Sequence, residues 1–257
     1  MRPLVFEEPY ARPALASRAL AAFALAVALI GVFASRAGLD PPAALAVLGG
    51  SLGLALAAVV CALAAFVVVW RTGRRGAGRA GAGLLLALAL LAYPAYVLAQ
   101  AARAPRLLDL TTDLSNPPVF SASRVAFAAR GAPPPIPSVA ERLAQAKAYP
   151  KILPMLLDLE VPEAFAALRR AAQAAGWTIV EAIPPGGRMR IGHIEAIARS
   201  PILGLPSYVT IRVRPVTEQT RVDVRSASRF APVDFGVNAR NIKAFEAALE
   251  RQVDRKQ

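Results

Sequence analysis

The stretch YVTIRVRPVTEQTRVDVRSAS, Tyr208 to Ser228, predicts the β-hairpin on which the C-terminal half of the chain is built. Apolar and polar residues alternate on both sides of a short polar turn, which is the period-two pattern of strands with one buried face. A hairpin symmetric about Thr217 and Glu218 gives three polar cross-strand pairs: Arg212 with Asp223, Arg214 with Arg221, and Thr210 with Arg225. The apolar side should face a core. The polar side is either a solvated surface, where an Arg–Asp pair contributes only about 0–1 kcal/mol, or a basic ligand-binding face.

The segments before the hairpin extend this layer to four strands. WTIVEAI, from Trp177, and the residues from about Met189 to Arg199 have strand character, and PPGG, Pro184 to Gly187, is a turn between them. Helical spacing appears on both sides of the strands, in Phe165, Leu168, Ala172 and Ala175 and again in Ile242, Phe245, Leu249 and Val253. Pro162 suits the first turn of the earlier helix, and Asp234 can cap the later one. The predicted fold class is α+β, a two-layer domain in which a four-stranded antiparallel sheet is covered on one face by helices.

The first hundred residues are mainly Ala, Leu, Val and Gly, and they predict three N-terminal transmembrane helices. The apolar runs cover about residues 18–35, 43–70 and 80–101. Their lengths suit a bilayer crossing, and Pro94 in the third run is tolerated in membrane helices. The first run could also belong to a signal peptide, but the two runs that follow favour a retained helix. We therefore predict a transmembrane region over residues 1–102 and a polar α+β domain over residues 103–257.

Arginine placement predicts the direction of these helices. The loop RTGRRGAGR, Arg71 to Arg79, holds four arginines and no acid, so it should lie in the cytoplasm. The N-terminus would then be cytoplasmic too, and the third crossing brings everything after Ala102 to the other side. The expected location is the inner (cytoplasmic) membrane, multi-pass, with the C-terminal domain in the periplasm. Gly49 and Gly53 form a small-xxx-small pair through which helix 43–70 could form an oligomer.

Charge and the scarcity of His and Cys limit the chemistry. The formal net charge is +13, about +5 of it in residues 1–102 and about +8 in the remainder. This sign favours the lipid bilayer or another anionic ligand as a partner, and no nucleic-acid motif accompanies it, so nucleic acid is not expected. The single cysteine, Cys61, lies in an apolar run, and the single histidine, His193, lies in a predicted strand. No metal site and no cofactor are therefore expected.

The polar domain opens with residues that the sequence predicts to be mostly loop, from 103 to about 137. Within them LLDLTTDLSNPPVF, Leu107 to Phe120, carries three side chains that can hydrogen-bond the backbone and fix a turn, Thr111, Thr112 and Asp113. Such a turn would strap the loop across the domain, with Phe120 in its core. In the alternative interpretation Asp113 is the carboxylate of a functional site. A short helix should follow over Val139 to Ala148.

Two motifs carry a family resemblance. DLTTDLSNPPVF together with VRSASRFAPVDFGVNARNIKAF resembles a bacterial family known only as domain of unknown function 1499, over about Asp109 to Leu249. Members of that family often have a few membrane helices ahead of the domain, so the resemblance implies a membrane-anchored member. The family commonly has further acids where this chain has Ser115 and Asn116, and paired aspartates where it has Ser207 and Tyr208. The resemblance implies no reaction and no catalytic residue.

The segment RSASRFAPVDFGVNAR, Arg225 to Arg240, leaves the last strand and enters the last helix, so its side chains should lie near helix-terminal N–H groups that favour anions. The predicted ligand-binding residues are Thr111, Thr112, Asp113, Arg225, Ser226, Ser228, Arg229 and Asn238. The first hypothesis is a membrane-anchored, non-catalytic envelope protein whose extracytoplasmic domain binds an anionic ligand or a protein partner of the envelope. The alternative is a membrane-bound hydrolase-type enzyme using carboxylates of the same domain: Asp113, Glu195 or Asp223, with Arg225. A third hypothesis is a purely structural role in a membrane complex.

Overall fold

The computed structural model of the protein describes residues 9–103, 107–186, 190–228 and 236–254. Its contacts separate two compact units, Met1–Ala99 and Gln100–Gln257. Each unit has an interior of its own, rich in alanine in the first and built from larger aliphatic and aromatic side chains in the second.

Three long helices form the first unit: α1 (Arg12–Arg36), α2 (Pro41–Thr72) and α3 (Ala77–Arg103). All three are long and apolar enough to cross a membrane, which confirms the prediction of three long apolar N-terminal helices. Prolines stand in the first turns of α1 and α2, where a missing N–H costs no hydrogen bond. Gly73 ends α2 with a φ of 70°, a conformation that glycine adopts without strain. The third helix continues through Pro94.

The helices pack through alanines instead of large side chains. One buried seam consists of Ala21 and Ala24 of α1, Ala55 and Ala58 of α2, and Ala87 of α3. Large apolar side chains such as Phe23, Val60 and Leu85 are exposed. This distribution is typical of helices in lipid, where small residues let the backbones approach closely and large ones face the acyl chains.

The segment before α1 contacts the arginine-rich loop between α2 and α3. The backbone N–H of Ala11 donates to the carbonyl of Arg75 at 2.9 Å, and Tyr10 and Arg75 form an isolated parallel bridge. The guanidinium of Arg79 lies 3.7 Å from the centre of the Tyr10 ring. The N-terminal segment and this loop therefore lie at the same end of the helix bundle, as the arginine-based orientation requires.

The described residues of the second unit form ten elements. In chain order they are β1 (Asp109–Thr111), α4 (Arg124–Arg130), α5 (Val139–Ala148), β2 (Met155–Leu157), α6 (Val161–Ala174), β3 (Thr178–Gly186), β4 (Ile191–Arg199), β5 (Pro206–Val216), β6 (Gln219–Ser228) and α7 (Val237–Asp254). The helix α5 has the predicted bounds and begins with a capping box between Ser138 and Glu141. The predicted cap of α7, Asp234, and part of the PPGG turn lie outside the described residues.

The sheet has six strands, so the prediction of four was wrong. The meander β3–β4–β5–β6 is antiparallel as expected, and β1 and β2 both pair with the outer edge of β6. Each added strand has only three residues, too few to show an alternating pattern in a sequence. They are strands because β6 offers unpaired backbone groups to them. The helix α4 was likewise missed in a stretch predicted to be mostly loop.

The hairpin register is the predicted one. Arg212 lies opposite Asp223, Arg214 opposite Arg221, and Thr210 opposite Arg225. The apolar side of the sheet faces α6 and α7 and forms the main core, which includes Val209, Ile211, Val213, Val222 and Val224. Trp177 and Phe245 stack in this core with ring centres 5.0 Å apart.

We expect Gly83→Ala to destabilise the helix bundle. A Cβ at Gly83 would lie 2.4 Å from Ser17 Oγ and 2.8 Å from the backbone nitrogen of Arg18, so α1 and α3 would have to move apart, at a cost of about 1–3 kcal/mol. Gly81→Ala is the matched control, since a Cβ there meets nothing within 4 Å and alanine favours helix. Thermal unfolding of the full-length protein in detergent measures both, and equal melting temperatures would contradict the prediction.

Candidate functional site

The polar side of the sheet is covered instead of exposed. Residues 107–137, here called the strap, lie over it. Thr210, Asp223 and Arg225 have 0% exposure. The prediction of a solvated surface is therefore wrong for the middle of this side, which we call the covered face. The alternative, a basic ligand-binding face, stays a prediction. The sequence predicted a loop strapped across the domain with Phe120 in its core, and Phe120 is buried between the strap and the sheet.

Arg225 is fully buried and holds the strap to the sheet. Its Nε and Nη2 donate to the Asp109 carboxylate at 3.0 and 2.7 Å, Nη1 donates to the carbonyl of Pro118 at 3.1 Å, and Nη2 also donates to the carbonyl of Pro135. The guanidinium carbon lies 4.9 Å from the centre of the Phe120 ring. Burial raises the pKa of Asp109, while the hydrogen bonds and charge of Arg225 oppose the rise.

The threonines and the aspartate of the strap fix a turn, as the structural interpretation of this stretch predicts. Thr111 Oγ1 accepts from the N–H of Asp113 at 3.2 Å. Asp113 Oδ1 then accepts from the N–H groups of Ser115 and Asn116 at 3.1 and 3.0 Å. Thr112 Oγ1 accepts from the N–H of Val224 in β6 at 2.8 Å. Sequence-local hydrogen bonds therefore shape the turn, and the last of these bonds joins it to the sheet.

Three arginines surround two buried carboxylates at the turn end of the hairpin. We call Arg212, Arg214 and Arg221 the arginine cluster. Asp113 Oδ2 lies 3.1 Å from Arg212 Nη2 and 2.9 Å from Arg221 Nη2. Asp223 lies 2.8 Å from both of these arginines. Arg214 makes only longer contacts, 3.5 Å to Asp223 and 3.9 Å to Asp113, and its Nε forms no hydrogen bond.

Exposure and pKa define the electrostatics of this site. The carboxylate side chains of Asp113 and Asp223 are 3% and 0% exposed, whereas those of Arg212, Arg214 and Arg221 are 15%, 32% and 25% exposed. Burial alone would raise the pKa of Asp113, but hydrogen bonds from Ser115 and Asn116 and the charges of Arg221 and Arg212 lower the pKa below its usual value. The Asp113 carboxylate is therefore ionised at neutral pH, and three guanidinium groups surround two carboxyl groups in this cluster.

Glu195 belongs to a separate ion pair on the covered face. Its Oε2 accepts from Arg130 Nε at 3.1 Å, its Oε1 accepts from the N–H of Ser121, and His193 Nε2 lies 3.4 Å from Oε1. Burial would raise the pKa of Glu195, but the hydrogen bonds of His193, Arg130 and Ser121 and the charge of Arg130 lower it. A carboxylate with a lowered pKa is a poor general acid at neutral pH.

Three of the remaining predicted site residues meet at the junction of β6 and α7. Ser226 Oγ donates to Asn238 Oδ1 at 2.7 Å, and the hydroxyl of Ser228 lies 3.3 Å from the same oxygen. Asn238 Nδ2 donates to the carbonyl of Leu108 at 2.9 Å. These contacts join the start of the strap to α7. Arg229 lies outside the described residues.

A protein-family comparison identifies the domain. A family model described as a protein of unknown function, DUF1499, matches residues 109–249, from the first residue of β1 into α7. The chain belongs to the DUF1499 family. Comparison with curated proteins found no match, and comparison with solved structures found none either. The DUF1499 match starts at Asp109, the carboxylate that binds Arg225, and includes the strap from that residue onward and all six strands.

The DUF1499 fold brings some of the predicted residues together and separates others. Asp113 and Asp223, two of the three carboxylates of the enzyme hypothesis, share arginine partners, whereas Glu195 is held by Arg130. Among the described residues, no group of three or more His, Cys, Asp or Glu side chains could hold a metal ion. Sequence reasoning missed Asp109 and Arg130 as partners of buried charges. For Arg130 the sequence carried no signal, since its role depends on where α4 lies.

Arg225→Met should destabilise the DUF1499 domain by about 3 kcal/mol, because it removes a fully buried guanidinium and leaves the partly buried Asp109 carboxylate without its partner. Adding Asp109→Leu should recover part of the loss, since the unpaired charge is then removed. The exposed Arg169 of α6 supplies the control, Arg169→Met, with little expected effect. Denaturant unfolding of the full-length protein in detergent measures the three variants. Trp177 fluorescence in a Trp70→Phe background reports on the domain.

No recovery in the double variant would show that Asp109 and Arg225 are not coupled and would contradict the interpretation of the strap.

Proposed function

We propose that this chain is an envelope protein anchored in the bacterial inner membrane, and that its C-terminal domain lies in the periplasm and binds an anionic ligand without catalysis. Three helices of suitable length and apolarity support the anchor. The arginine-rich loop at the same end of the bundle as the N-terminal segment supports the direction, because positive loops stay in the cytoplasm.

The arginine cluster is the observation that carries the proposed binding role. Its guanidinium groups are partly exposed above the two buried carboxyl groups, so the positive ends of the network face solvent. Arg214 is the most exposed of the three, and it makes the longest ionic contacts. An anion could accept hydrogen bonds from it without displacing a short pair, and charge-assisted hydrogen bonds of this kind are the strong ones.

Binding is favoured over catalysis by the state of the candidate carboxylates. Asp113 and Asp223 contact arginines, and the pKa values of Asp113 and Glu195 lie below their usual values. A proton-transfer role at neutral pH needs a pKa that is shifted towards neutrality. The same pairing suits a structural or ligand-positioning role.

We also propose that α2 is the surface for self-association in the membrane. Gly49 and Gly53 are exposed in α2, and a Cβ at either would meet nothing within 4 Å. A second copy could therefore approach closely along this line of small residues.

Anion binding is tested with inorganic phosphate on the full-length protein in detergent. Phosphate should raise the melting temperature of the wild type and of Arg169→Gln, and its apparent affinity should be about tenfold weaker in Arg214→Gln, the loss of one charge-assisted hydrogen bond. Both variants remove one positive charge, so any non-specific loss of electrostatic attraction for phosphate is the same in both. Equal shifts in the two variants would contradict a site at the arginine cluster.

The direction of the chain is tested separately. Protease added to intact spheroplasts should cut the domain after residue 107, and alkaline phosphatase fused at the C-terminus should be active. Replacing Arg74 and Arg75 with glutamate should lower the fraction of molecules that insert with the domain in the periplasm. A domain that resists protease until the cells are lysed would contradict the periplasmic placement.

A further inference from the structure

An open groove lies between α4 and the edge of the sheet. It has a volume of about 710 Å³ and a mainly apolar lining that includes Val125 and Ala128 of α4, Ile197 of β4, and the three consecutive residues Thr178, Ile179 and Val180 of β3. Side chains of consecutive strand residues point to opposite faces. Thr178 pairs with Ile197 of β4, so these two side chains line the groove from the same face, whereas Ile179 packs against the core on the opposite face. The groove therefore extends from the face under α4 to the outer edge of β3.

The edge of β3 has no partner in the part of the chain that the structure describes. It pairs with β4 on one side, and no other described residue hydrogen-bonds its backbone. The opposite edge of the sheet is treated differently. There Gln145 of α5 accepts from the N–H of Thr111 at 3.1 Å and donates to its carbonyl at 2.6 Å, so the side-chain amide satisfies the outer backbone groups of β1 at that residue.

Only part of β3 is protected against pairing with another strand. Pro184 and Pro185 lie in its second half, and prolines, which lack a backbone N–H, commonly block edge pairing. The first half, 178–180, has three β-branched residues and no proline or charge. Val180 lies in a register shift relative to β4, and bulges of this kind are enriched at edges and beside binding sites. The unprotected half is the half that lines the groove.

We propose that this groove binds an extended apolar peptide of another protein, which adds a strand to β3 under α4. An extended chain is the occupant whose backbone can satisfy the free N–H and C=O groups of a strand edge, while its alternate side chains fill the apolar groove. A second copy of this domain fits less well, because it would bring its own α4 to the same edge. Arg124, exposed in the groove lining, forms no ion pair with a described residue and complements a carboxylate on the peptide.

This site is distinct from the arginine cluster, so it does not depend on anion binding. The probe is a fluorescent peptide of about ten alternating valine and serine residues ending in a free carboxylate, which has the length of a strand. Anisotropy measures its affinity for the full-length protein in detergent. A second version is N-methylated at alternate residues, so it keeps the side chains but loses the strand-forming N–H groups.

The unmethylated peptide should bind at least about tenfold more tightly than the methylated one, and it should slow amide exchange at residues 178–180. Ala128→Trp, which fills the groove from an exposed position of α4, should weaken binding to the same degree. Ala146→Trp, at an exposed position of α5, is the matched control and should bind as the wild type does. Failure of both peptides to bind, equal affinity for the two, or equal binding by the two tryptophan variants would overturn the proposal.

Discussion

Arg225 is a charged side chain with no solvent exposure, and a buried guanidinium is tolerated only when its donors find acceptors. In this domain the acceptors lie in the strap: the carboxylate of Asp109 and the carbonyls of Pro118 and Pro135. The strap must therefore close over the sheet for the hairpin to be stable. Its closure places β1 beside β6 and Phe120 against the guanidinium. Much of the architecture of the second unit follows from this requirement.

Both faces of the sheet are consequently buried, and they differ in chemistry. The helix face is stabilised by burial of apolar surface, which is nondirectional and tolerant of detail. The covered face is stabilised by paired charges, which require specific partners at specific distances. Ion pairs at Glu195 and Asp109 close its middle, and the arginine cluster marks where it reaches solvent. The surplus charge at that rim is the physical basis of the proposed anion binding.

The two edges of the sheet differ in whether their outer backbone N–H and C=O groups have hydrogen-bond partners. At β1, Gln145 supplies the hydrogen bonds that a further strand would have made. At β3, only the half with two prolines is unsuited to pairing. In the first unit, alanine seams replace large side chains inside the bundle, so the large apolar residues remain outside. The satisfied edge at β1 excludes a further strand. The first half of β3 and the exposed apolar surface of the bundle could each accommodate a partner.

The sequence by itself determined the features that depend on local patterns. Three apolar runs predicted three helices. Alternation around Thr217 and Glu218 predicted the hairpin register residue by residue, and the motifs from Asp109 and from Val224 identified the family. It could not predict β1 and β2, whose three residues carry no period, or the role of Arg130, which depends on where α4 docks. Arg225 was predicted to bind a ligand because its segment leads into the last helix, whose terminal N–H groups favour anions, yet its partners come from residues 109, 118 and 135. Only the tertiary structure decided this, because burial and ion pairing are set by which distant segments meet, and a one-dimensional pattern does not record that.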